Sequence, residues 1–212
     1  MSRLSVFQVR TSFHGTEYGG WTICPDGLTA SSLIYSFGVG EDTSFDLELI
    51  AQYGVEVHAF DPTPKSIAWV QSNSWPDRFH FHPIGIGSSD RMAFFFPPDD
   101  PSHVSHSILP RRNAASAPTQ VQLFRLKTIA DMLGHQQIDL LKMDIEGAEY
   151  EVITDLLDTH NIIIRQILIE FHPFFEGLTY NATANSIRQL EKRGYRLFNI
   201  SNRGTEFSFI YL

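Results

Sequence analysis

"YSFGVGEDTSFD", residues 35–46, runs from a β-branched and aromatic stretch into Gly38-Val39-Gly40, two acids and a plausible helix start. Glycines let a backbone approach a ligand closely, and a strand followed by such a loop and a helix is how an open α/β sheet presents a binding edge. The two acids, Glu41 and Asp42, would repel a phosphate. The ligand must be settled by what the other strands end in.

Outward from that loop the chain alternates between strand-like and helix-like segments. "LIYSF" (33–37) is a short buried-strand run, and Thr43 or Ser44 is placed to cap the helix after it. Phe45, Leu49 and Tyr53 fall four apart on one helical face, and Gly54 sits where a helix-ending glycine belongs. "VEVHAF" (55–60) reads as a strand and "PKSIAWVQSN" as a helix opened by Pro64. In "RFHFHPIGI" (78–86), Phe79 and Phe81 alternate with His80 and His82.

The texture then changes. "RMAFFF" (91–96) and "VQLFRL" (121–126) read as two strands outside the alternation, joined by a Pro-, Ser-, Ala- and His-rich stretch that makes a lid candidate. The alternation resumes with "KTIADML" (helix), "IDLLKM" (138–143, strand) and a helix from Gly147 striped by Val152, Ile153, Leu156 and Leu157. "RQILIEF" (165–171) is a strand, and a helix over 183–193, capped by Asn181 or Thr183, stops at Gly194. "YRLFNI" and "EFSFIYL" close the chain as a hairpin turning through Asn202, Arg203 and Gly204. The expected class is α/β: a mostly parallel sheet with one antiparallel strand and helices on both faces. Residues 1–30 read as an N-terminal flap and 31–212 as a single domain with a strand-pair and lid insertion at about 91–126.

Composition excludes several functions. Sixteen basic against 24 acidic residues give a net charge of −8, which disfavours nucleic acid as a partner. Cys24 is the sole cysteine, so no intrachain disulfide or cysteine zinc site exists, and the compartment reads as reducing and cytoplasmic. No apolar run reaches membrane-spanning length, and residues 1–27 lack a signal peptide's apolar segment.

The strand ends gather glycines and acids along one edge. After successive strands come Gly38-Val39-Gly40-Glu41-Asp42, then Asp61-Pro62, Gly85-Ile86-Gly87, Asp144-Ile145-Glu146-Gly147, and Glu170-Phe171-His172. Asp61 lies 21 positions after Gly40, at the end of the next strand, where an acid accepts from the two hydroxyls of an adenosine ribose. A nicotinamide cofactor prefers a third glycine, but that position is Thr43, and Glu41 and Asp42 suit a pyrophosphate badly. S-adenosylmethionine brings a sulfonium and an ammonium, which tolerate those acids. The same acids also serve simply to stabilise a helix N-terminus.

"YSFGVGEDTSFD", "VHAFDPTP", "FHFHPIGIGSSD", "IDLLKMDIEGAEYEVI" and "ILIEFHP" together resemble the FkbM-type S-adenosylmethionine-dependent methyltransferases, over about residues 16–212. The resemblance implies a Rossmann-like class I methyltransferase fold with seven strands, and O-methylation of a hydroxyl on a small molecule or saccharide. It implies that Phe37, Gly38, Gly40 and Asp42 line the methionine tail, that Asp61 holds the ribose, and that Ile86 and Gly87 border the adenine. Asp144, Glu146, Gly147 and Glu149 would lie beside cofactor and acceptor. One departure stands out: many methyltransferases carry an acid two residues before the first glycine, and here that residue is Ser36, leaving Asp42 or Asp144 to supply the bond.

Methyl transfer to a hydroxyl needs positioning and a base. The candidates are Asp144, Glu146, Glu170 and His172, of which His172 has the most suitable unperturbed pKa. The same four also suit a divalent ion, although no spacing demands one. Lys142 reads as an ion-pair partner of Asp144, His103 and His106 as acceptor contacts or solvated polar residues, and Phe174 and Phe175 as a candidate acceptor wall. The alternatives are a nicotinamide-dependent oxidoreductase and a non-catalytic binding module of the same fold.

Overall fold

The computed structural model describes residues 5–98, 106–109, 117–158, 162–175 and 177–212; His103, Arg111 and Arg112, with much of the lid candidate, fall outside these. A short hairpin, β1 (Ser12–His14) and β2 (Trp21–Ile23), precedes the main alternation. That alternation runs β3 (Leu33–Phe37), α1 (Ser44–Tyr53), β4 (Glu56–Phe60), α2 (Pro64–Gln71) and β5 (Phe79–His82). After β6 (Gly85–Ile86), β7 (Arg91–Phe95) and β8 (Thr119–Phe124) it continues with α3 (Leu126–Leu133), β9 (Gln137–Met143), α4 (Glu149–Asp158) and β10 (Ile163–Glu170). The chain finishes with α5 (Tyr180–Lys192), β11 (Tyr195–Ile200) and β12 (Glu206–Tyr211).

Seven strands form the main sheet in the order β11-β12-β10-β9-β3-β4-β5, with β12 antiparallel to both its neighbours and the other pairings parallel. This is the expected class. The central strands carry apolar side chains on both faces because both are covered. On one face Ile34, Val57, Ala59, Leu140 and Leu168 pack against Phe45 and Leu49 of α1 and against Trp21 of the hairpin. On the other, Phe37, Leu141, Met143, Ile167 and Ile169 pack against Ile129 of α3, Val152 and Ile153 of α4, and Ile187 and Leu190 of α5. Each fully buried aliphatic side chain contributes about 1.5–3 kcal/mol over its exposed state, which makes these two layers the main support for the rim above them.

Three local expectations change. Thr43 makes no side-chain cap; Asp42 Oδ1 accepts the Ser44 N–H at 2.8 Å and does that job. α5 begins at Tyr180, and Thr179, not Asn181 or Thr183, accepts the Ala182 N–H. The strand pair is a three-stranded sheet, β6-β8-β7, because the chain leaves the main sheet after His82 and Gly85–Ile86 pairs with β8; Leu126 already belongs to α3.

The sheet order reverses between β3 and β9. Chain order runs outward through β4 and β5 on one side and through β10 on the other. The carboxyl ends of β3 and β9 therefore diverge into a crevice, the place where open α/β sheets bind ligands.

Candidate cofactor and acceptor site

A cavity of about 750 Å³ occupies that crevice. Phe37, Gly38, Gly40, Asp42, Asp61, Ile86, Asp144, Glu146, Glu170 and His172 all line it. Gly87 does not; its N–H is spent on the Phe124 carbonyl at 2.9 Å, and Gly85 takes the place at the wall. Phe174 and Phe175 also lie off the lining: Phe174 is exposed and packs edge-on to Tyr180.

The glycine loop is fixed from below and from the side. Gly38 has φ +78°, and a Cβ there would stand 1.7 Å from the Asp144 carbonyl oxygen. Only glycine allows the β3 and β9 ends to come so close. Asp61 is buried; its Oδ2 accepts the Gly40 N–H at 2.9 Å, and its Oδ1 accepts the N–H and hydroxyl of Thr63 at 2.9 and 2.7 Å. The turn-forming role thus falls on a carboxylate that also lines the cavity. Asp42 is part cap and part strap, with Oδ2 accepting from Thr16 Oγ1 at 2.7 Å. Desolvation pushes its pKa up, but bonds from Ser44 and Thr16, with the charge of Lys142, hold it below the ordinary carboxylate value. Glu41 pairs with Lys65 at 3.3 Å. Lys142 does not pair with Asp144 as expected: its Nζ donates to the Gly38 carbonyl at 2.6 Å.

The far end of the cavity is acidic. His172 Nδ1 lies 2.8 Å from Glu149 Oε1, while its Nε2 stands 3.7 Å from Asp144 and 3.8 Å from Glu146. Burial alone would lower the His172 pKa; the bond to Glu149 and the charges of Glu149, Asp144 and Glu146 outweigh it and raise the imidazole to about 10. His172 is therefore a cation at neutral pH, not the near-neutral group its ordinary pKa suggests. Desolvation and the neighbouring Asp144 raise Glu170 to about 7, and desolvation raises Asp144. Glu146 sits at φ +53°, the one non-glycine in the left-handed region among the described residues, and Ser107 Oγ holds its carbonyl at 2.6 Å. Such strain persists only where surrounding contacts enforce it, as they do at functional loops.

Asp144, Glu170 and His172 each offer one ligand atom within 4.8 Å of the others. Oxygen-rich sets of this kind accept hard divalent ions, but an ion here would have to displace the proton on His172.

Several lining residues were not foreseen: Thr16, Tyr18 and Trp21 from the hairpin, and Arg203 and Glu206 from the C-terminal turn. Arg203 and Glu206 had a usable signal. An antiparallel last strand must begin at the rim where the parallel strands end, and Glu206 is the register partner of Glu170.

Sheet order and site together define the class, a Rossmann-like methyltransferase domain. Residues 32–197 match the methyltransferase FkbM domain family, and the chain belongs to that family. The rat protein named "Probable methyltransferase-like protein 24" is 28% identical over 198 residues, covering 84% of this chain and 48% of the relative. Its human counterpart is 26% identical, covering 84% and 47%. The chain thus spans about half the length of these curated relatives. A fibrillarin pre-rRNA processing protein of Methanococcus jannaschii shares the fold, with TM-score 0.53 at 10% identity over 87% of this chain and 68% of that one. Among the described residues no helix is long and apolar enough to cross a membrane.

Proposed function

We propose that the cavity binds S-adenosyl-L-methionine and that the chain transfers its methyl group to a hydroxyl of a small molecule or saccharide. The observation that carries this reading is the bond from the Gly40 N–H to Asp61 Oδ2, which ties a ribose-accepting acid to the glycine loop at the rim. Donor-set chemistry fits the group: carboxylates meet a sulfonium and an ammonium, and the third glycine position of a pyrophosphate-binding loop is Thr43. When bound, the cofactor supplies an electrophilic methyl group on a good leaving group.

The chain's own residues do the rest. Phe37, Gly38 and Asp42 border the methionine tail, Asp61 the ribose, and Ile86 the adenine face. Glu170, with a pKa near the working pH, accepts the acceptor's hydroxyl proton as the new bond forms. His172, oriented and kept protonated by Glu149, supplies the positive charge that lets Asp144, Glu146 and Glu170 share one wall; an ion is not required for that role. Phosphate-backed acceptors are disfavoured by the same carboxylates, which supports a neutral, hydroxylated acceptor over nucleic acid. The setting proposed is cytoplasmic, with the single cysteine, Cys24, buried and free.

Calorimetric titration with S-adenosylmethionine, S-adenosylhomocysteine and NAD tests the cofactor. Binding of NAD with no response to either sulfur nucleotide overturns the reading. A screen of hydroxylated acceptors with labelled methyl donor then separates a catalyst from a binding module.

A further inference from the structure

Lys142 is an unusual charge to find where it is. It lies in β9 with 7% of its surface exposed, yet it lines the cavity beside the glycine loop. Its ammonium has three donors, and the Gly38 carbonyl takes one. No direct ion pair joins it to a carboxylate among the described residues, although its charge acts on Asp42, Asp46 and Asp144; Trp21 lies over it at 5.7 Å from the ring centroid. Asp46 and Ser36 are buried nearby; burial pushes Asp46 up to about 6 against the pull of Lys142 and Ser36, which still leaves it mostly a carboxylate at neutral pH. The ammonium thus has charge partners but, among the described residues, one hydrogen-bond acceptor, and it opens on a cavity where an anion can take its remaining donors.

We infer that Lys142 anchors the carboxylate of the cofactor's methionine tail. This rests on the cofactor proposed above. That tail is zwitterionic, and the two ends of the loop match it in sign: Asp42 on the ammonium side, Lys142 on the carboxylate side. Gly38 completes the arrangement, because the Lys142 bond to its carbonyl holds the ammonium at the loop where the tail lies. Asp46, whose pKa the charge of Lys142 lowers against its burial, does not line the cavity itself.

The test compares S-adenosylhomocysteine with its decarboxylated analogue, S-adenosyl-3-thiopropylamine, by calorimetry on wild type and Lys142→Met. Wild type should bind the decarboxylated ligand about 10–100-fold more weakly, the scale of one charge-assisted hydrogen bond. Lys142→Met should bind the two about equally. An equal preference in both proteins, or none in wild type, overturns the anchor while leaving the cofactor reading intact. Wild type binding neither ligand brings down the cofactor reading and the anchor with it. Should the methionine variant not fold, the Lys142 ¹⁵Nζ resonance of wild type decides. It should move with S-adenosylhomocysteine and stay with the analogue, and an identical response to both overturns the assignment.

Discussion

Glu149 Oε1 lies 2.8 Å from His172 Nδ1, and Glu149 is closed to solvent. The same carboxylate accepts the N–H groups of Ile145 and Gly147, at 3.1 and 3.0 Å, so one buried acid shapes the turn after β9 and sets the charge of an imidazole on β10's exit. Glu149→Gln keeps the shape and removes the charge. The His172 pKa, followed by imidazole NMR, should fall from about 10. Stability should fall by about 3–5 kcal/mol, the cost of breaking a buried pair. An unmoved His172 titration contradicts the pairing.

Glu170 predicts the pH dependence. A base must be deprotonated to act, so the rate should rise as pH passes through about 7, where Glu170 loses its proton. A second limb should fall near pH 10 as His172 gives up its charge. Glu170→Gln should lower kcat by about 10²–10⁴-fold and remove the acid limb. A profile that keeps its limb near 7 in the variant assigns the base elsewhere.

Asp61→Ala should weaken S-adenosylhomocysteine binding by roughly 1–3 kcal/mol, the scale of an unmet hydrogen bond to a charged group. It should also lower the melting temperature, because Gly40 and Thr63 lose their acceptor. An unchanged dissociation constant removes Asp61 from the ligand site.

Gly38→Ala meets two obstacles. A side chain in the left-handed region costs about 1–3 kcal/mol. The new Cβ would also stand 1.7 Å from the Asp144 carbonyl oxygen, forcing the β3 and β9 ends apart. Loss of cofactor binding together with a lowered melting temperature is the expected outcome. Wild-type affinity in the variant would mean that the loop does not contact the ligand.

The fold was largely legible because its strands are short buried runs that stop at glycine or aspartate: Phe37 before Gly38, Phe60 before Asp61, Met143 before Asp144. The acidic rim followed from the same stops, since parallel strands all end on one side. What stayed hidden depends on contacts between distant elements. The charge of His172 is set by Glu149, 23 residues away at the start of α4. Gly85 and Gly87 exchange roles because the chain leaves the main sheet after His82, a change of partner that periodicity does not register. Tyr18, whose hydroxyl is raised by burial and by the charges of Asp144, Glu146 and Glu170, reaches the site only because the β1–β2 hairpin docks on α1.

Away from the cavity, His58 sits among three other imidazoles, with ring centroids 4.9 Å from His80, 5.1 Å from His82 and 4.9 Å from His135. His58 Nδ1 and His82 Nε2 are hydrogen-bonded at 2.9 Å, and Tyr35 bonds His135 at 2.7 Å. Among the described residues Glu56 is the one acid bonded to the group, through His80 at 2.8 Å. Burial, then the charges of His82, His135 and His80, depress His58 to about 3, and His82 and His135 are lowered as well. The unfolded chain has ordinary histidines near 6.5, so on acidification it takes up protons that the folded chain refuses. The cluster's contribution is fully present above pH 6.5 and is lost as pH falls toward 3. Asp46 and Glu170 titrate in the opposite sense, so the measurement is the difference between wild type and His58→Gln in urea unfolding across pH 4–7. Wild type should lose more stability per pH unit below 6.5 than the variant, by at most one bound proton. Parallel curves would mean that the imidazoles take up protons in place and that the stack tolerates charge.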